Sequence, residues 1–154
     1  MYGGLTITEP RARLAELMNE ITPKDITGFI FPLGGSDGNE IMMRVARMYT
    51  GKNKILNRYR SFHGGSSGPL NATGDFRRRY ADTAGVGGFV KFFDLQSWTI
   101  QWGKNNEEAI PNYLAYAEET ILNENPSQIA GLMIETVTGS GGVLVNPPEV
   151  LTGL

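Results

Sequence analysis

Residues 28–49 read GFIFPLGGSDGNEIMMRVARMY, and the fold class follows from the change of period within this stretch. Gly28-Phe29-Ile30-Phe31 is a short apolar run of the kind a buried strand makes, closed by Pro32 and the glycines. From about Gly38 to Tyr49 the spacing turns helical, with Ile41, Met42, Val45, Met48 and Tyr49 as an apolar stripe and Gly51 as the stop. A strand, a glycine-rich turn and a helix, in that order, form half of a crossover unit.

The alternation continues on both sides. Upstream, Pro10 to Ile21 reads as a helix with Thr8 placed to cap it, and Leu14, Leu17, Met18 and Ile21 recur at helical spacing. Thr22-Pro23 ends it, so residues 1–23 form a lead-in helix and residues 24–154 the alternating region. Downstream, Lys54 to Asn57 is a second strand, the glycine-rich stretch Ser61 to Gly74 holds a short helix, and Phe89 to Phe93 is a third strand. Asn106 to Asn123 is the longest helix, with Ile110, Leu114, Ala117 and Ile121 on one face and Pro111 tolerated near its start. Ile129 to Ile134 is a fourth strand, and Pro147 to Leu154 approaches another helix. Strands alternating with helices predict an α/β fold, a mostly parallel sheet with helices on both faces. Four strands so arranged leave apolar edges and faces to be covered, by more of the same chain or by another chain.

Composition excludes several functions. Among 154 residues, 40% are hydrophobic and 19% charged, a globular balance, and the formal net charge of −2 argues against nucleic acid as a partner. The run Arg77-Arg78-Arg79, flanked by Asp75 and Asp82, reads as a solvated face. No apolar stretch approaches the roughly 20 residues of a membrane helix, and Met1 to Thr8 carry no signal-peptide pattern, so the cytoplasm is the expected location. With no cysteine and one histidine, disulfides, thiolate sites and metal sites needing two histidines are excluded.

Three segments carry candidate chemistry. Leu33 to Glu40 lies between strand and helix, where glycines let successive N–H groups point at one spot beside the helix dipole, a turn that cradles phosphate. It lacks the Gly-Lys-Ser/Thr of a Walker loop and the dinucleotide spacing, and an ordinary helix start with Asp37 and Glu40 as a capping box is the alternative. Phe62-His63-Gly64-Gly65 sets an aromatic beside small residues, able to stack on a planar ring; His63 alone reads as structural. Glu135 stands at the carboxyl end of a strand, where open α/β sheets gather ligands. Trp98 and Trp102 default to packing.

Together, GGSDGNEIMMRVARMYTGKNKIL, FHGGSSGPLNATG and IAGLMIETVTGSGGVLVNPPEVLTGL, preceded by PRARLAELMNEITP, resemble the class III aminotransferases. These are the ω-amino-acid, acetylornithine and taurine–pyruvate group of fold type I enzymes that use pyridoxal 5'-phosphate. The resemblance covers nearly the whole chain, which is well under half the family's usual length. It implies that residues 1–154 are a middle piece of the large, cofactor-binding domain. Gly35 and Ser36 would bind the cofactor phosphate, Phe62 would stack on the pyridine ring with His63 next to it in the cofactor-binding set, and Glu135 would lie beside the ring. Gly34 and Gly38 depart from the usual serine and alanine, and Thr136 from the usual proline.

The family's ring-nitrogen aspartate and Schiff-base lysine match positions beyond Leu154, while Lys24, Lys52, Lys54, Lys91 and Lys104 fall in segments matching no such motif. The resemblance therefore implies a part of an enzyme that moves an amino group from an ω-amine or amino acid to a keto acid such as pyruvate. This chain alone is expected to be inactive, and a homodimer or the remainder of the parent chain is the expected partner. A non-catalytic phosphate-ester-binding module, or a truncated reading frame, is the alternative.

Overall fold

A computed structural model describes residues 7–80 and 87–154, so Asp82 and the first six residues lie outside the described set. The chain divides into two units, Met1–Pro32 and Leu33–Leu154.

In the first unit, α1 (Glu9–Ile21) forms where the helical spacing places it, with proline in its first turn and Thr8 at the N-cap position. The Thr8 side chain makes no capping bond, and none of the helix is buried. Phe29 to Phe31 departs from expectation. It is extended and alternates, with Phe29 and Phe31 half-buried and Ile30 exposed, but no strand among the described residues pairs with it. An apolar run of strand period becomes a strand only when a neighbour supplies ladder partners for its N–H and C=O groups.

In the second unit, α2 (Gly35–Thr50), β1 (Lys54–Arg58), α3 (Ser67–Ala72), β2 (Phe89–Phe92), α4 (Asn106–Asn123) and β3 (Ile129–Met133) follow in order. The strands make a parallel sheet of order β2-β1-β3, with Leu56 opposite Val90 on one side and Leu132 on the other. The sheet thus has three strands where four were expected. A two-residue hairpin, β4 (Val137–Thr138) with β5 (Leu144–Val145), and a short helix α5 (Pro148–Gly153) complete the unit.

Because side chains alternate along β1, its two faces feed two cores. Ile55 packs with Met43 of α2, Ala72 of α3 and Met133. Leu56 packs with Phe92, Tyr113 and Ala117 of α4 and Val150 of α5. Helices therefore cover both faces, as expected. The α4 stripe is as read, Ile110, Leu114 and Ile121 all facing that core. The α2 stripe is not: Met43 is the buried residue, and Met42, Val45, Met48 and Tyr49 face solvent, Tyr49 at 91% exposure. This helix carries more apolar residues than one face can present to three strands.

The carboxyl end of β1 is polar and buried. Arg58, 1% exposed, lies near the Phe92 and Tyr113 rings, its carbon Cζ 5.9 and 5.8 Å from their centroids. Its Nη1 donates to Asn146 Oδ1 at 2.5 Å, and Asn146 Nδ2 donates in turn to the Glu135 and Thr136 carbonyls at 2.9 and 3.1 Å. One amide thus ties β1 to the chain leaving β3. Trp102 packs on the α4 core and donates to the Asp94 carbonyl at 3.0 Å, while Trp98 is exposed with Arg60 above it.

Replacing Asn146 by alanine strands the Arg58 guanidinium and the Glu135 carbonyl, while the Thr136 carbonyl keeps the backbone N–H of residue 146. Urea unfolding should show a loss of roughly 2–4 kcal/mol. Asn123→Ala, which removes one exposed contact to the Glu119 carbonyl, should change stability by under about 0.5 kcal/mol.

Candidate cofactor site

The three segments singled out in the sequence meet at the loop that leaves β1. Phe62 donates its N–H to Glu135 Oε1 at 2.8 Å. Gly65 donates its N–H to Ser36 Oγ at 3.1 Å. Residues far apart in the chain, 36, 62 and 135, are thereby joined through four consecutive loop residues.

The first turn of α2 does most of the holding. Ser36, Asn39 and Glu40 stand at i, i+3 and i+4 and so share one helix face. Asn39 Nδ2 donates to the His63 carbonyl at 2.6 Å, and Glu40 Oε1 accepts the Gly68 N–H at 2.9 Å. The capping-box alternative is therefore wrong. The helix begins at Gly35 with Gly34 as its N-cap and no side-chain cap, and Glu40 instead serves the first turn of α3. Sequence reasoning missed this clamp, although its signal, polar residues at helical spacing, was present. From the other side, His63 donates its N–H to Thr73 Oγ1 at 2.9 Å.

Glycine is needed at Gly64 and not at Gly34 or Gly35. Gly64 has φ 134°, and a Cβ there would stand 2.2 Å from Ser36 Oγ. Gly34 is extended, a conformation any residue adopts, and a Cβ at Gly34 or Gly35 would meet nothing within 4 Å. What those two glycines leave is open space. The first intrahelical bond is Gly38 N–H to the Gly34 carbonyl, so the N–H groups of Gly35, Ser36 and Asp37 precede the helix ladder and are free to meet an anion. Ser36 accepts a hydrogen bond from the loop and keeps its own proton to donate.

Phe62 is 38% exposed, and the Arg77 guanidinium lies over its ring with Cζ 3.9 Å from the centroid. The arginine run is thus not a solvated face at Arg77. Asp75 Oδ2 accepts Arg77 Nε at 2.8 Å and also Nη2. That hydrogen bond raises the Arg77 pKa above its ordinary value, and the negative charges of Asp75 and Glu135 act in the same direction.

His63 is 6% exposed, and its Nε2 has no hydrogen-bond partner among the described residues. Burial lowers its pKa from 6.5 to about 4. Its contribution is through main-chain contacts and packing. Three of the five lysines are occupied elsewhere: Lys54 pairs with Glu124, Lys52 donates to the Pro126 carbonyl and Lys91 to the Asn71 carbonyl. Among the described residues no group of histidine and carboxylate side chains is arranged to hold a metal ion, and no helix is long and apolar enough to cross a membrane.

A parallel α/β sheet with a helix N-terminus, an aromatic ring and a carboxylate gathered past its strand ends defines a ligand-binding α/β protein of the crossover type. The family model for class-III aminotransferases matches residues 1–154, and the chain belongs to that family. It is 32% identical over 159 residues to the hypotaurine/taurine–pyruvate aminotransferase of Paracoccus denitrificans, covering 96% of this chain and 33% of that protein. It is 32% identical over 144 residues to the acetylornithine aminotransferase of Listeria innocua, covering 92% and 36%. Two solved structures superpose closely. The taurine:2-oxoglutarate aminotransferase of Bifidobacterium kashiwanohense, in complex with pyridoxal phosphate and glutamate, gives a TM-score of 0.86 at 32% identity over 96% of this chain and 34% of that one. An (S)-enantioselective ω-transaminase from Thermomicrobium roseum gives 0.87 at 30% identity, over 95% and 34%. The chain spans about a third of the length of these relatives.

The buried His63 makes stability depend on pH. Its folded pKa lies below 6.5, so between pH 6.5 and about 4 the unfolded chain binds a proton that the folded chain does not. The histidine's contribution is complete above about pH 6.5 and falls away as the pH drops toward 4, by roughly 3 kcal/mol in total. Chemical denaturation of the wild type and of His63→Gln across that range should show the variant with the shallower pH dependence.

Proposed function

We propose that this chain provides the phosphate- and ring-binding part of the pyridoxal 5'-phosphate site of an aminotransferase. The observation that carries the reading is the convergence of Ser36, Phe62 and Glu135 on one loop, through the Ser36–Gly65 and Glu135–Phe62 hydrogen bonds. The groups present fit the cofactor. The unladdered N–H groups of Gly35 to Asp37 and the Ser36 proton suit a phosphate dianion. The half-exposed Phe62 ring suits a pyridine face, and Glu135 suits the ring's polar edge.

When bound, pyridoxal phosphate supplies the electron-accepting ring on which amino-group transfer runs. The residues here anchor and orient it. Glu40, which would repel the phosphate, is turned away onto the Gly68 N–H. The Glu135 carboxylate is held at one oxygen by the Phe62 N–H, which fixes its position relative to that ring. His63, neutral at physiological pH, is not a proton carrier in this reading. Its role is to keep Phe62 and Gly64 in place, through Asn39 and Thr73.

The taurine–pyruvate and ω-transaminase relatives support transfer of an amino group from an ω-amine or amino acid to a keto acid such as pyruvate. The whole reaction needs groups that this chain does not place at the site, above all a lysine. The exposed apolar side chains of α2 favour a larger assembly, a homodimer or the remainder of a parent chain, in the cytoplasm.

Titrating pyridoxal phosphate into the purified chain, followed by absorbance and fluorescence, should show binding that weakens at least about tenfold in a Ser36→Ala, Phe62→Ala double variant. Equal, negligible binding by both proteins would sink the proposal. Borohydride treatment of the loaded chain should trap no specific lysine adduct.

A further inference from the structure

We propose that Arg77 is a displaceable cap on the stacking face of Phe62: its guanidinium occupies the place of the cofactor ring, which enters by turning the side chain out. The inference rests on the cofactor reading above. It adds a contact that opposes binding of the ring and leaves the phosphate end of the site alone.

Position comes first. A guanidinium is planar, as a pyridine ring is, and stacks on aromatic faces. The Arg77 Cζ stands 3.9 Å from the Phe62 ring centroid, which is van der Waals contact. The Asp75 hydrogen bond is the main cause of the raised Arg77 pKa and the Glu135 charge adds to it, so the guanidinium also lies within electrostatic reach of that carboxylate. A ring set on Phe62 within reach of Glu135 would need this place, and two groups cannot share one face. Among the described residues, Arg77 makes no hydrogen bond or ring contact to residues 35–37.

The attachment allows the side chain to leave. Asp75 Oδ1 accepts the Arg77 N–H at 2.9 Å, while Oδ2 accepts Nε at 2.8 Å and also Nη2. Asp75 is itself fixed, its side chain 10% exposed and its N–H donated to the Ser61 carbonyl at 3.2 Å. The main-chain bond keeps the Arg77 backbone in place whatever the guanidinium does. Uncapping therefore needs only rotation of a side chain that is 40% exposed, a motion on the order of nanoseconds.

Magnitudes make this contact a cap and not a lock. An exposed ion pair and an exposed cation–π contact each shift an equilibrium by about fivefold at most. An aromatic ring stacked on Phe62 gains as much again, and its phosphate would be held separately by the N–H groups that precede the α2 ladder. The phosphorylated ring therefore displaces the guanidinium and loses a few-fold in affinity by doing so. A planar ring without phosphate brings only the stacking contact and gains little by the exchange. Charge attraction alone predicts the opposite sign, since removing a cation beside an anionic ligand weakens its binding.

The test uses the purified chain and two probes. Pyridoxine 5'-phosphate has the ring and the phosphate but no aldehyde to react with a lysine, and inorganic phosphate lacks the ring. Binding is read from pyridoxine fluorescence, with inorganic phosphate as a competitor, for the wild type, Arg77→Ala and Arg78→Ala. Arg77→Ala should bind pyridoxine 5'-phosphate about three- to fivefold more tightly than the wild type, with the inorganic phosphate constant within about twofold. Arg78→Ala, the same change of charge one residue along, should match the wild type. Unchanged or weaker binding of pyridoxine 5'-phosphate by Arg77→Ala overturns the cap and leaves the cofactor site standing. A gain that inorganic phosphate shares, or that Arg78→Ala shows equally, also overturns it, because a general loosening of the site would act that way. Binding of pyridoxine 5'-phosphate by none of the three proteins overturns the cofactor reading and this inference with it.

Discussion

The peptide groups that leave the carboxyl end of β1 have no ladder to continue into, and the site is the solution to that constraint. Buried N–H and C=O groups must find partners, and between Phe62 and Gly68 they find side chains: Glu135 for Phe62, Thr73 and Asn39 for His63, Ser36 for Gly65, Glu40 for Gly68. Three of these five side chains come from one face of one helix turn. The loop is thus shaped by the groups that surround it, and those groups are the ones proposed to hold the cofactor.

The same network accounts for the order of the second unit. Arg58 ends the central strand inside the core, lies near two rings, and passes through Asn146 to the backbone of Glu135. Glu135 then returns to Phe62. A circuit from the end of β1, through the segment after β5, to the end of β3 and back fixes the relative positions of an aromatic plate and a carboxylate. Its parts are costly alone, since a buried guanidinium without partners is unfavourable, and acceptable only together.

Much of this was legible in the order of residues. The period of α4 gave both its limits and its buried face, because a long amphipathic helix repeats its signal several times. The strand β3 was legible because a buried parallel strand is apolar throughout, and β1 and β2 by their short apolar pairs Ile55-Leu56 and Phe89-Val90. Phe29 to Phe31 misled for the same reason: its composition is that of a strand, and pairing is not a property of composition. The stripe on α2 misled because Met42, Val45, Met48 and Tyr49 have helical spacing and the sheet meets the helix at Met43 instead. Arg77 read as one of three solvated charges because nothing in Arg77-Arg78-Arg79 distinguishes the one that lies on Phe62.

By itself, then, the chain's sequence determined the α/β class, the family and the three segments of the candidate site, since these depend on local periodicity and on motifs that are contiguous. The tertiary structure decided which side chains meet: Ser36 with Gly65, Glu135 with Phe62, Arg77 with the Phe62 ring. The physical reason is that a hydrogen bond or a stacked charge acts over a few ångströms of space, and the chain separates these partners by as many as 73 positions, a distance that only folding removes.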